Sequence, residues 1–170
     1  MNVLVLASFP VSAACTRYRC VQFFDYLRHH GVCCHLRPFL GEADFRGFYH
    51  RGGTPGKVAR LLRATAGRAL ELGRARSYDA VLVQREAMLF GPPVVEWTLA
   101  RLARRPLIFD FDDAIYLPYV SPTFGALATR LKCPQKTAAT LRLARAVIAG
   151  NAHLAGYARP FNPRVTVIPT

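Results

Sequence analysis

The chain has no acidic residue after Asp113, and only three lysines (Lys57, Lys132 and Lys136) stand among its 23 basic side chains, the rest being arginine. Against 10 acids this leaves a formal charge of +13 over 170 residues. Such a surplus faces something anionic or is simply solvated, and nucleic acid, an acidic membrane surface and phosphate-bearing substrates are the candidate partners. An RNA-recognition aromatic motif, a helix-turn-helix and a KH-type loop are all missing, and the basic residues are spread over several elements, which argues against nucleic acid. No run of 18 apolar residues occurs, which excludes a hydrophobic transmembrane helix. The opening MNVLVLASFPVSAAC has no Lys or Arg ahead of its apolar stretch, and Ser12 stands where a lipoprotein cleavage site takes Leu or Val. It reads as a strand and loop, not as an export signal.

Other absences narrow the chemistry. Five cysteines (Cys15, Cys20, Cys33, Cys34, Cys133) form no CxxC pair, which fits reduced, packed thiols in a cytoplasm. Cys15, Cys20 and His35 can be drawn as a zinc set, but such spacing arises readily by chance. The loop after the first apolar run has no glycine, so the GxGxxG dinucleotide fingerprint is missing, and TPGK at Thr54 to Lys57 lacks P-loop spacing. Without a Gly-x-Ser-x-Gly elbow, a hydrolase of the α/β type has no nucleophile. No feature requires a cofactor or a metal.

What is present is an alternation of apolar runs with helical patterns, in a chain 52% hydrophobic and long enough for one domain with a real core. The alternation predicts an α/β fold: a single domain with a Rossmann-like, doubly wound parallel sheet. The predicted strands are Val3 to Ala7, Val32 to Phe39, Asp79 to Gln84, the PLIFDF run from Pro106, Ala146 to Ala149, and Arg164 to Ile168. Between the first two, Cys20, Phe23, Phe24 and Leu27 match one helical face, and Gly31 supplies the stop. GEADFRGFYHRGGTPG, from Gly41, reads as a long Gly-rich loop of functional or mobile character.

Lys57 to Arg76 reads as a basic amphipathic helix. Val58, Leu61, Leu62, Thr65, Ala69 and Leu72 fall on one side; Lys57, Arg60, Arg63, Arg68 and Arg74 fall on the other, with Glu71 the only acid among them. It either packs on the sheet with a solvated charged face or meets an anionic membrane. Further on, Gly91-Pro92-Pro93 opens a helix carrying Val95, Leu99 and Leu102. Leu117 to Cys133 reads as loop plus short helix, Pro134 to Arg145 and Asn151 to Ala158 as helices.

The densest signal is PLIFDFDDAIY, Pro106 to Tyr116. Leu107, Ile108, Phe109 and Phe111 suit a strand buried on both faces, and Asp112 and Asp113 then fall just past its carboxyl end, where open α/β sheets bind ligands. Adjacent carboxylates in a dry site repel unless solvent, a helix N-terminus or a cationic or hydroxyl-bearing ligand satisfies them. Capping of a following turn is the alternative. Arg17 and Arg19 fall near the start of the first helix, where cations oppose the helix dipole by roughly 0.3 to 1 kcal/mol each unless an anion binds. If the helix begins at Ser12, they are instead solvated charges in its second turn.

Four stretches in order, TRYRCVQFFDYLRHHG, DAVLVQRE, IFDFDDAIY and AVIAGNAHLAGYA followed by VTVIPT, resemble the N-terminal half of family 4 retaining glycosyltransferases. The resemblance spans essentially the whole chain and implies the acceptor-side domain of a two-domain GT-B fold. Arg17, Arg19, Arg85, Asp112, Asp113 and Asn151 would then line the cleft, although Asn151 also reads as a simple helix cap. The implied partners are a C-terminal domain that holds the nucleotide sugar and a sugar or lipid-linked acceptor; the implied location is the cytoplasm, peripheral at the inner membrane face. The family's paired glutamates and donor-diphosphate contacts belong to the C-terminal half, so the 170 residues alone are expected to transfer no sugar.

LIFDFDDA also resembles the opening motif of haloacid dehalogenase-type phosphatases, with Asp110 as nucleophile and Asp112 as proton shuttle. That motif ends the first strand of its fold and needs an acidic pair downstream, whereas here it ends the fourth strand. A non-catalytic basic binding module is the third reading.

Overall fold

The computed structural model describes residues 1–48, 54–118 and 131–169. Six strands form one all-parallel sheet: β1 (Asn2–Ala7), β2 (Cys33–Pro38), β3 (Ala80–Gln84), β4 (Leu107–Phe111), β5 (Ala146–Ala149) and β6 (Val165–Val167), in the order β2-β1-β3-β4-β5-β6. Each apolar run of the sequence becomes a strand; β1, β3 and β4 are buried on both faces, while the edge strands β2 and β6 are partly exposed. On one face Leu4, Leu6, Val81, Val83, Leu107, Phe109 and Phe111 make the larger core, with the Phe109 and Phe111 rings stacked at 5.3 Å. On the other, Val3, Val5, Ala80 and Cys20 make a thinner one. Full burial of each large side chain contributes about 1.5–3 kcal/mol. The order reverses between β1 and β3, and in open α/β sheets ligands bind beyond the carboxyl ends of the strands at such a reversal.

The helices depart from the sequence reading in instructive ways. The first is not one helix but α1 (Ala14–Arg19), a 3₁₀ turn (Val21–Phe23) and α2 (Phe24–His29), broken at Cys20 with φ −127°. Arg17 and Arg19 therefore sit in the last turn of α1, where cations favour the helix dipole instead of opposing it. Gly31, at φ 76°, closes α2 in the left-handed conformation expected of a glycine stop. Part of the expected Gly-rich loop is helical, α3 (Glu42–Phe48), and the rest of it up to Thr54 lies outside the described residues.

The long helix α4 (Thr54–Arg74) forms, but its faces are not those expected. Leu61 and Ala64 pack on Phe39, Leu40 and Leu89, and Leu72 packs on the larger core. Arg68, assigned to the solvated side, is buried with them at 3% exposure, while Val58, Leu62 and Leu70 are 51%, 66% and 68% exposed. Arg68 turns inward because its guanidinium finds strand-end carbonyls: Nη1 donates to Arg37 O (3.1 Å) and Nη2 to Ala7 O (3.3 Å).

After β3, α5 (Val94–Trp97) runs into a π-helical turn (Thr98–Leu102), in which Ala103 N donates to Thr98 O at 2.9 Å. Val95 and Leu99 stay buried, but the extra residue in that turn carries Leu102 out to solvent. The Leu117 to Cys133 reading falls largely outside the described residues. α6 (Lys136–Leu143) and α7 (Ala152–Ala158) complete the layers.

Candidate functional site

The alternation of β4 decides what the aspartates do. Leu107, Phe109 and Phe111 point into the larger core, so Ile108 and Asp110 point to the opposite face, where Asp110 lies in register beside Gln84. α1 brings Arg19 to the same place. Arg19 Nε donates to Asp110 Oδ2 at 3.2 Å, a second prong joins Nη2 to Oδ1, and Nη1 donates to Ile168 O at 2.5 Å. Both side chains of this pair are 2% exposed. Burial works against the Arg19 charge, but the hydrogen bond and charge of Asp110, helped by Asp112, carry its pKa upward on balance. Arg19 thus joins α1, β4 and the chain after β6, and is not a solvent-facing anion receptor.

The open part of the edge belongs to Arg85, the first residue after β3. Its backbone N donates to Asp110 O (2.7 Å) and it holds φ 65°, a left-handed conformation that non-glycine residues seldom adopt. That conformation aims the guanidinium across the strand ends: Nη1 lies 2.8 Å from Asp113 Oδ2 and 3.7 Å from Asp112 Oδ1. Burial pulls the Arg85 pKa down, and the two carboxylates more than reverse this. The doublet is unequal. Asp113 is 64% exposed at its side chain and Asp112 is 13%, with its Oδ1 lacking a hydrogen-bond partner.

Gly150, directly after β5, closes the site from the other side. Its N donates to Phe111 O (2.9 Å), and a Cβ there would lie 3.0 Å from Asp112 Cα, so only glycine fits this approach without displacing Asp112. The next residue, Asn151, caps α7 by accepting from Leu154 N at 2.9 Å. Arg17 is separate from the cluster. It sits two residues and so about 200° around α1 from Arg19, exposed, near Ser12 O and over the Tyr18 ring.

Several supporting residues escaped the sequence reading. Ser8, buried at the end of β1, donates through Oγ to Glu86 O (3.0 Å), tying the loops after β1 and β3 together. Lys136 reaches from α6 to Glu86 (3.0 Å) and to Met88 O (2.8 Å), and Glu96 accepts from Ala87 N (3.1 Å), so the loop after β3 is held from below by buried charges. Gln84 is fully buried, and neither amide atom is paired among the described residues. A polar residue ending the apolar run VLVQ was the one visible signal among these.

Chemically, the edge offers a guanidinium beside a half-free carboxylate pair, which suits the hydroxyls or the anionic group of a polar ligand. Asp110 is a poor nucleophile here, since its carboxylate is buried against Arg19. Among the described residues no group of three His, Cys, Asp or Glu side chains could hold a metal, and no helix is long and apolar enough to cross a membrane. The chain matches no family model and no curated protein.

Proposed function

We propose that the chain is the acceptor-binding half of a retaining glycosyltransferase, with Arg85, Asp112 and Asp113 receiving the acceptor's hydroxyl or phosphate groups. The single observation that carries this reading is the juxtaposition of Arg85 with the aspartate doublet at the carboxyl edge of the sheet, beside the reversal of strand order. A second domain carrying the nucleotide sugar completes the enzyme in this reading, and catalytic groups are expected there. The function rests on the sequence resemblance; the fold by itself hosts many activities.

The test is titration of the isotopically labelled protein with glucose, N-acetylglucosamine and glucose 1-phosphate. Shifts gathered at Arg85, Asp112, Asp113 and Gly150 are expected; shifts confined to other regions, or none, would overturn the reading. With any radiolabelled nucleotide sugar the 170 residues alone are expected to yield no transfer product.

The same reading places the protein in the cytoplasm, at the inner face of an anionic membrane. Its support is the outer surface of α4, where Val58, Leu62 and Leu70 stand exposed beside Arg63 and Arg74.

A further inference from the structure

We propose that the cavity between the end of β2 and α4 is a binding site for a small hydroxylated anion, a phosphate monoester or a carboxylate. The cavity holds about 260 Å³ and is lined by Arg37, Phe39, Asp44, Arg63, Arg68 and Glu71. It is distinct from the Arg85 edge and does not depend on the glycosyltransferase reading.

Charge accounting selects the ligand. Asp44 serves two arginines: both its oxygens lie 2.9 Å from Arg63 Nη2, and its Oδ1 lies 3.6 Å from Arg60 Nε. Glu71 Oε1 is shared by Arg37 at 3.4 Å and Arg74 at 3.7 Å. Arg68 differs from these: its two terminal nitrogens donate to backbone carbonyls, and among the described residues its Nε has no acceptor and no carboxylate is hydrogen-bonded to it. Burial lowers its pKa to about 10, which still leaves it protonated at neutral pH. A buried cation that feels Glu71 and Glu96 only through space, with no carboxylate hydrogen-bonded to it, is under-compensated, and an anion in the adjoining cavity relieves it. Glu71 Oε2 is also buried without a partner, so a ligand that adds a hydroxyl donor to its anionic group satisfies both orphans. Phe39, whose ring centroid lies 5.9 Å from the Arg68 guanidinium, flanks it on the apolar side.

The test is calorimetric titration with glycerol 3-phosphate and with glycolate at constant ionic strength, alongside NMR of the Arg68 Nε–H. Saturable binding of either probe, with movement of that resonance, supports the site, and the probe preferred tells a phosphate ligand from a carboxylate one. Arg68→Met removes the cation but risks the fold. Gly67→Glu is therefore the second variant, since a Cβ at Gly67 meets open space and the new carboxylate sits at the cavity wall. It is expected to weaken binding about tenfold or more while the unliganded melting temperature holds or rises, because Glu is a better helix former than Gly. No saturable binding of either probe, or equal affinity in the wild type and Gly67→Glu, would overturn the proposal and leave the cavity to water.

Discussion

Arg19 and Asp110, 91 residues apart in the chain, form a two-pronged ion pair with both side chains withdrawn from water. Replacing one partner alone strands the other's charge in the interior. Arg19→Met or Asp110→Leu is expected to lower stability by about 3–5 kcal/mol, and the double variant by much less than the two losses together. Urea denaturation of the four proteins measures the coupling. Losses that simply add would mean that the pair has no interaction energy.

Arg85 stands in a left-handed backbone conformation while its side chain holds two carboxylates. Arg85→Ala loses the ion pairs and keeps the strain; Arg85→Gly loses the ion pairs and relieves it. The glycine variant should be the more stable of the two by about 1 kcal/mol, the reverse of their order in an ordinary extended segment. Neither should respond to the sugar probes.

Glu96 is buried, and burial raises its pKa above the ordinary 4.5, against the lowering effect of backbone donors and Lys136. A raised folded value means that its stabilising contribution is present below the unfolded pKa and is lost as pH rises through the folded one. Glu96→Gln keeps an oxygen for Ala87 N and has no charge to bury. Denaturant midpoints should therefore favour the variant increasingly as pH climbs above about 4.5 towards neutrality. A constant difference across that range would remove Glu96 as the titrating group.

Asn151→Ala removes the acceptor for Leu154 N and should cost about 1 kcal/mol, with Asn151→Asp recovering most of it. If Asn151 acts only as a cap, sugar-probe shifts at Arg85 will be the same in both variants, measured on the folded fraction.

Leu62→Glu on the outer surface of α4 should reduce sedimentation with phosphatidylglycerol vesicles several-fold and leave the unfolding free energy within about 0.5 kcal/mol. Undiminished retention would separate the membrane contact from this face. Retention by DNA but not by vesicles would favour a nucleic-acid-binding module.

The central strands were legible because β1, β3 and β4 are buried on both faces and so appear as unbroken apolar runs, such as VLVLA or VLVQ, whereas the edge strands β2 and β6 are partly exposed. Helix faces were less so. The 3.6-residue pattern placed Arg68 with the other arginines, because periodicity cannot sense that strand-end carbonyls of Arg37 and Ala7 await a donor. Likewise Cys20, Phe23, Phe24 and Leu27 follow one continuous helical template, while the break at Cys20 turns Phe23 partly out to solvent. At the candidate site, the end of the β4 run placed Asp112 and Asp113, whereas Arg85 came only with the family resemblance, and its ion pairs with them are visible only in the fold. The pairing of Arg19 with Asp110 needed the side alternation of β4 and the seating of α1, and both are tertiary facts.

The order β2-β1-β3-β4-β5-β6 also bears on how the nascent chain assembles. β2 takes one flank of β1 and β3 the other, and every later strand joins the outer margin left by its predecessor. A polypeptide leaving the ribosome can therefore zip up in the order of its translation, without prising apart any ladder already made. The Arg19 guanidinium reaches the Ile168 carbonyl only after β6 has joined the sheet, and so acts as a late latch on an otherwise sequential build.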